Sequence, residues 1–127
     1  MASREPARRR IIPTADTAFR PYDRYGKTIE GLSWLPLSPD AEQGRGCYLI
    51  RFDAGGRSMP HLHVGIEEFL VLDGELVDDD GTVFKAGDFV SYDAGTKHHS
   101  VAPEGCTIAV FLREPNQLLE GGEDGAR

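Results

Sequence analysis

Apolar runs in this chain are short, and glycine closes almost every one of them; no other feature limits the possible folds as much. The runs LSWLPL, CYLIRF, SMPHLH, EEFLVL, ELVDD, TVFKA, DFVSY, HHSVA and CTIAVFL are rich in β-branched and aromatic residues and read as strands. Between them stand Asp53-Ala54-Gly55-Gly56, Asp73-Gly74, Asp80-Gly81, Ala86-Gly87, Ala94-Gly95 and Glu104-Gly105. Glycine in these places supplies the positive φ that tight hairpins need. No helix longer than a turn or two is predicted, and no internal repeat is present. The class is all-β, and successive hairpins imply a mainly antiparallel meander that closes or folds over itself.

A chain of 127 residues has room for one sizeable core. Residues 1–28 lack periodicity and are expected to form a flexible basic segment; residues 29–113 are the predicted domain. Residues 114–127, which turn glycine-rich and acidic, are expected to form a flexible tail. The first ten residues carry four Arg and one Glu, net +3, so a total of −7 leaves −10 for the rest. Such an acidic body argues against a general nucleic-acid partner, whose binding rests on basic surface. No apolar stretch could span a bilayer, and the start lacks the apolar region of a secretory signal, so a cytoplasmic protein is expected. Cys47 and Cys106 lie far apart in apolar stretches and read as small core residues in a reduced compartment.

The four histidines, His61, His63, His98 and His99, fall in two short segments. In a strand, residues two apart share a face, so His61 and His63 can present their imidazoles side by side; on a helix they would diverge by about 200°. Val64-Gly65-Ile66 gives the chain room to turn, and Glu67 opens the next strand facing the same point. In GDFVSYDAGTKHH a strand and a turn at Ala94-Gly95 deliver His98. Strands about 4.8 Å apart can converge such ligands on one ion. Glu68 and His99 compete for these roles, and if Glu67 and His98 face the ion, alternation sends each competitor to the opposite face of its strand. DDDG at Asp78 to Gly81 lacks the later ligands of a calcium loop and reads as a hairpin turn.

The segment GGRSMPHLHVGIEEFLVLDG resembles the first cupin motif, with Gly55, His61, His63, Glu67 and Gly74 at the motif's spacings. Gly87, Gly95 and His98 are similarly placed to the second motif, with Asp93 standing where that motif has Pro and Ala102 where Asn often follows. This resemblance implies a double-stranded β-helix, the jelly-roll cupin barrel. It also implies one divalent transition metal on His61, His63, Glu67 and His98. Iron suits an enzyme, and Zn, Mn, Ni, Co and Cu share the same ligand preferences.

Within the superfamily the run from Glu67 to Arg113 is similar to ChrR-type cupin domains and to dioxygenases of the acetylacetone dioxygenase kind. The latter likeness implies an oxygenase acting on a small dicarbonyl- or enol-type substrate. The alternatives are a non-catalytic metal-sensing module of the ChrR type and a metal-dependent isomerase or lyase. Alternation places Phe69 and Val71 on the face of Glu67, and Met59 on that of His61, as pocket walls. Tyr48, Tyr92 and Arg51 are the polar candidates for orienting a substrate, Arg51 being expected to face outward. No catalytic residue is assigned. The strand around Trp34 precedes the barrel, and the resemblance implies a homodimer.

Overall fold

The computed structural model describes residues 8–119. Its strands are β1 (Arg20–Pro21), β2 (Leu32–Pro36), β3 (Gly46–Phe52), β4 (Gly56–Arg57), β5 (His61–Leu62) and β6 (Glu67–Asp78). There follow β7 (Val83–Lys85), β8 (Phe89–Tyr92), β9 (Lys97–His98), β10 (Ser100–Ala102), β11 (Cys106–Leu112) and β12 (Gln117–Leu118). Among the described residues the only helical piece is a 3-10 turn at Ala41–Gln43. Every pairing is antiparallel: one curled sheet runs β1-β2-β3-β11-β6-β10-β4, with β7 and β8 also on β6, and a small sheet runs β12-β5-β9. This is the expected jelly-roll barrel.

Strand β6 is the pivot. Its first half, Glu67–Leu70, pairs with β8, and its second half, Glu75–Val77, pairs with β7. On its other edge it pairs with β11 and then with β10. Glu67, Phe69 and Val71 point inward, but further along the buried positions are Leu76 and Asp78. The phase changes because the register against β11 shifts between Thr107 and Ile108, an extra residue on β6 that re-aims everything after it. Gly74 allows the detour with φ +78, and a Cβ there would lie 2.2 Å from the carbonyl oxygen of Gly105.

The barrel core is aromatic at one end. Trp34 on β2 meets Tyr22 and Tyr48 edge-on at centroid distances of 5.2 and 5.3 Å, the arrangement that sets a positive ring edge against a negative face. Tyr48, Ile50 and Phe52 are the inward row of β3, while Leu49 faces the other way to join Leu35 and Ala109 beneath Ile12 and Phe19. Arg51 faces outward as expected, with its guanidinium 3.9 Å above the Phe19 ring.

Several sequence expectations need correction. Asp73-Gly74 lies inside one twelve-residue strand, next to a bulge whose extra residue is Leu72, and is not a hairpin between EEFLVL and ELVDD. Of SMPHLH only His61–Leu62 is strand, and HHSVA is broken at His99. The ordered barrel also extends past 29–113. Tyr22 is buried in the core, β1 pairs with β2, and β12 pairs with β5. Residues 1–7 of the basic segment and 120–127 of the acidic tail lie outside the described residues. By contrast, Asp78 to Gly81 does form the expected hairpin turn, with Gly81 at φ +88 and the Asp78 amide donating to the Thr82 carbonyl.

Candidate metal centre

Strand pairing assembles the site. His61 on β5 stands directly opposite His98 on β9. His63 lies just beyond β5, and its backbone donates to the Thr96 carbonyl and accepts from the Gly95 amide. Glu67 is the first residue of β6. The three imidazole centroids are 4.6, 4.7 and 4.9 Å apart. All four side chains are buried, and one ligand atom from each lies within 4.8 Å of every other.

Hydrogen bonds decide which ring nitrogen faces inward. His61 Nδ1 stands 2.7 Å from the Met59 carbonyl, an acceptor only, so Nδ1 carries the proton. His98 Nδ1 likewise donates to Asp78 Oδ1 at 2.7 Å. Thr96 Oγ1 gives its own hydrogen to the Asp93 carbonyl, so at 2.9 Å it accepts from His63 Nδ1. Each Nε2 is therefore left with a lone pair. The Nε2 atoms of His63 and His98 are buried without a hydrogen-bond partner, 3.4 and 3.9 Å from Glu67 Oε2. Lone pairs gathered around a carboxylate oxygen repel one another unless a cation lies between them. Ligands about 2.1 Å from a common ion stand roughly 3.0 to 3.4 Å apart, close to this spacing. The donor set fits a borderline divalent transition ion.

Burial pushes Glu67 upward in pKa, but the close His63 and His61 rings and the hydrogen bond donated by Asn116 outweigh it and hold the carboxyl below its ordinary range. Burial likewise opposes ionisation of Asp78, and hydrogen bonds from Tyr92, His98 and Ser100 reverse that. Burial lowers His61 to about 4. Its folded pKa is thus below the unfolded value of about 6.5, and between the two the unfolded chain binds a proton that the folded chain does not. Stability of the metal-free protein is expected to fall by about 3 kcal/mol as pH drops from 6.5 to 4. Glu67 and Asp78 act in the same direction, losing their contribution as pH falls through their depressed pKa values. Denaturant midpoints of metal-free protein at pH 7 and pH 4.5 measure this, and equal midpoints would contradict it.

A cavity of about 50 Å³ opens beside these groups, lined by His61, Glu67 and His98 at one end and by residues including Phe69, Leu76, Ile108 and Val110 along its apolar wall. Tyr22, Tyr25 and Tyr48 add hydroxyls, and burial raises the pKa of all three. Hence they remain neutral donors. Of the sequence candidates, Met59, Phe69 and Tyr48 line this space, whereas Val71 is buried in the core without reaching its wall. Tyr92 lies with its ring 4.4 Å from that of His98 and its hydroxyl on Asp78 Oδ2. Glu68 turns outward to Arg113 and Ser91, and His99 lies half-exposed by Asp79.

Residues 8–115 match the family model of the ChrR cupin-like domain. The chain belongs to the ChrR cupin-like family. Acetylacetone dioxygenase from Acinetobacter johnsonii superposes on this ChrR-like cupin with a TM-score of 0.74 at 17% identity, over 96% of this chain and 86% of that one. The polyketide cyclase RemF from Streptomyces resistomycificus gives 0.67 at 18% identity, over 89% and 86%. The anti-sigma ChrR of Rhodobacter sphaeroides, seen in complex with SigE, gives 0.60 at 25% identity, over 76% of this chain and 48% of that one. Comparison with curated protein sequences finds no match.

Sequence reasoning missed the residues that support this ChrR-like cupin's histidines and glutamate. Asp78 sits in DDDG and read as a turn; counted from Glu67 by strict alternation it would face outward, and only the bulge brings it in. Thr96 carried no signal beyond its place before His98. Asn116 and Tyr22 fell in segments read as flexible. No described helix is long and apolar enough to cross a membrane.

Proposed function

We propose that the protein is a metal-dependent oxygenase of small dicarbonyl- or enol-type molecules, with His61, His63, Glu67 and His98 as the ligands. The observation that carries this reading is the set of three Nε2 lone pairs, each fixed by an Nδ1 hydrogen bond, with His61 and His98 also lining a cavity that has apolar walls and tyrosine hydroxyls. Iron(II) bound there would supply Lewis acidity and an electron source for dioxygen chemistry. The protein's own contribution is positional. Neutral Tyr22 and Tyr48 can donate to a substrate oxygen, while Phe69, Ile108 and Val110 exclude water from its carbon frame. A space of about 50 Å³ admits only a small molecule. The structural likeness to an acetylacetone dioxygenase supports this substrate class.

A second reading, a sensing module that holds zinc and does no chemistry, is favoured by the family match and by the likeness to ChrR. Metal analysis of protein purified without added metal, followed by oxygen-uptake assays of the iron-loaded form with β-dicarbonyl, catechol and thiol compounds, separates the two. Substrate-dependent oxygen uptake is expected. Stoichiometric zinc and no uptake with any compound after iron loading would favour sensing. A homodimer belongs to the same proposal: Phe89 and Phe111 stand exposed on the outer face of the sheet about β6, where a second copy could cover them. Light scattering is expected to give twice the chain mass, and a single-chain mass would rule it out.

A further inference from the structure

The C-terminal segment crosses the site and binds two of the strands that build it. β12 pairs with β5, Leu118 lying opposite His61, and the Leu119 amide donates to the Pro60 carbonyl. Nearer the barrel, Glu114 pairs with Arg45 at 3.1 Å and packs close to Gly65, in the turn between His63 and Glu67. Between these anchors Asn116 Nδ2 donates to Glu67 Oε1 at 2.7 Å. The two oxygens of Glu67 therefore have different surroundings: Oε1 is occupied by an amide from the strap, and Oε2 faces the Nε2 atoms of His63 and His98. Asn116 also lines the cavity, and its Oδ1 is buried without a partner.

We propose that Asn116 is a positioning residue that makes Glu67 a one-oxygen ligand, so that a position on the metal facing the cavity stays open for a small exogenous ligand. The inference rests on the ligand set assigned above. A free carboxylate can give both oxygens to one ion, and the second would take the space a substrate needs. An amide donor on Oε1 opposes that swing, because it must be broken before the oxygen can turn inward. The cavity side is the one that remains accessible, since His61, Glu67 and His98 line it and His63 does not. The strap thus governs access to the site as well as covering it.

Cobalt(II) reports coordination through its visible absorption, and azide is a small probe of an open position. Wild-type protein is expected to bind one cobalt(II) per chain and to change its visible spectrum on azide addition. Asn116→Ala is expected to keep the cobalt stoichiometry but to weaken azide binding at least tenfold, with a cobalt spectrum of higher coordination number. Asn116→Asp, nearly the same shape but unable to donate when ionised, is expected to do likewise, which separates donation from simple filling of space. Azide binding and spectra unchanged in both variants would overturn the proposal. So would a wild-type cobalt spectrum indifferent to azide, which leaves the ligand set standing. Failure of wild-type protein to take up cobalt would instead overturn the ligand set, and this inference with it. Circular dichroism of each variant identifies any that does not fold, in which case the other decides.

Discussion

Replacing His98 with alanine is expected to strip the metal from the protein, and replacing its neighbour His99 is expected to leave metal content unchanged. The two differ by one position on the chain and by everything in surroundings. His98 is buried, its Nδ1 proton is taken by Asp78, and its Nε2 is aimed at Glu67. His99 is half-exposed and lies 3.4 Å from Asp79 on the surface. Loss of an outer hydrogen-bond partner typically weakens metal binding about 10–100-fold, and loss of a ligand itself is expected to exceed that range. The alanine variant also leaves the Asp78 carboxylate without one of its buried donors, although Tyr92 and Ser100 still donate to it. Metal per chain, measured after dialysis against a chelator, tests the pair. The opposite pattern, metal lost with His99 and kept with His98, would show that the ligand assignment is wrong.

The second large effect is expected at a residue with no side chain. Gly74→Ala should destabilise the fold by about 2–4 kcal/mol, combining a left-handed backbone with a clash that cannot be relieved by a side-chain rotation. The new Cβ would lie 2.2 Å from the carbonyl oxygen and 2.9 Å from a Cα atom of the facing strand's start, both backbone atoms. Gly81→Ala is the control. Its φ is also positive, at +88, but nothing lies within 4 Å of the added carbon, so only the conformational cost of about 1 kcal/mol is expected. Denaturant unfolding of the two variants compares them directly, and equal losses would show that the bulge is not tightly packed. Because the bulge sets the phase of the second half of β6, Gly74→Ala is also expected to disturb Asp78 and through it His98.

The barrel class and the four clustered residues were legible because each depends on a local rule. Glycine spacing announces hairpins, and period-two alternation puts His61 and His63 on one face. Glu67 over Glu68 and His98 over His99 follow from the spacings of the motifs the segments resemble, and alternation then sends the rival side chains to the other face. What could not be read depended on events between distant segments. Whether β6 continues through Asp73-Gly74 or turns there is settled by its pairing with β11, about thirty residues later. Asn116 gains its position from the pairing of a two-residue strand with β5, and two residues carry no periodicity. Tyr22 lies in a stretch without alternation, and its burial comes from packing against distant aromatic residues such as Trp34 and Tyr48.

The partners of the three imidazoles are of three chemical kinds: an amide carbonyl behind His61, a hydroxyl behind His63 and a carboxylate behind His98. A carboxylate draws the Nδ1 proton more strongly than a neutral oxygen does, and so leaves its imidazole the more basic donor at Nε2. The three imidazoles are thus graded in donor strength at Nε2, with His98 the strongest of them.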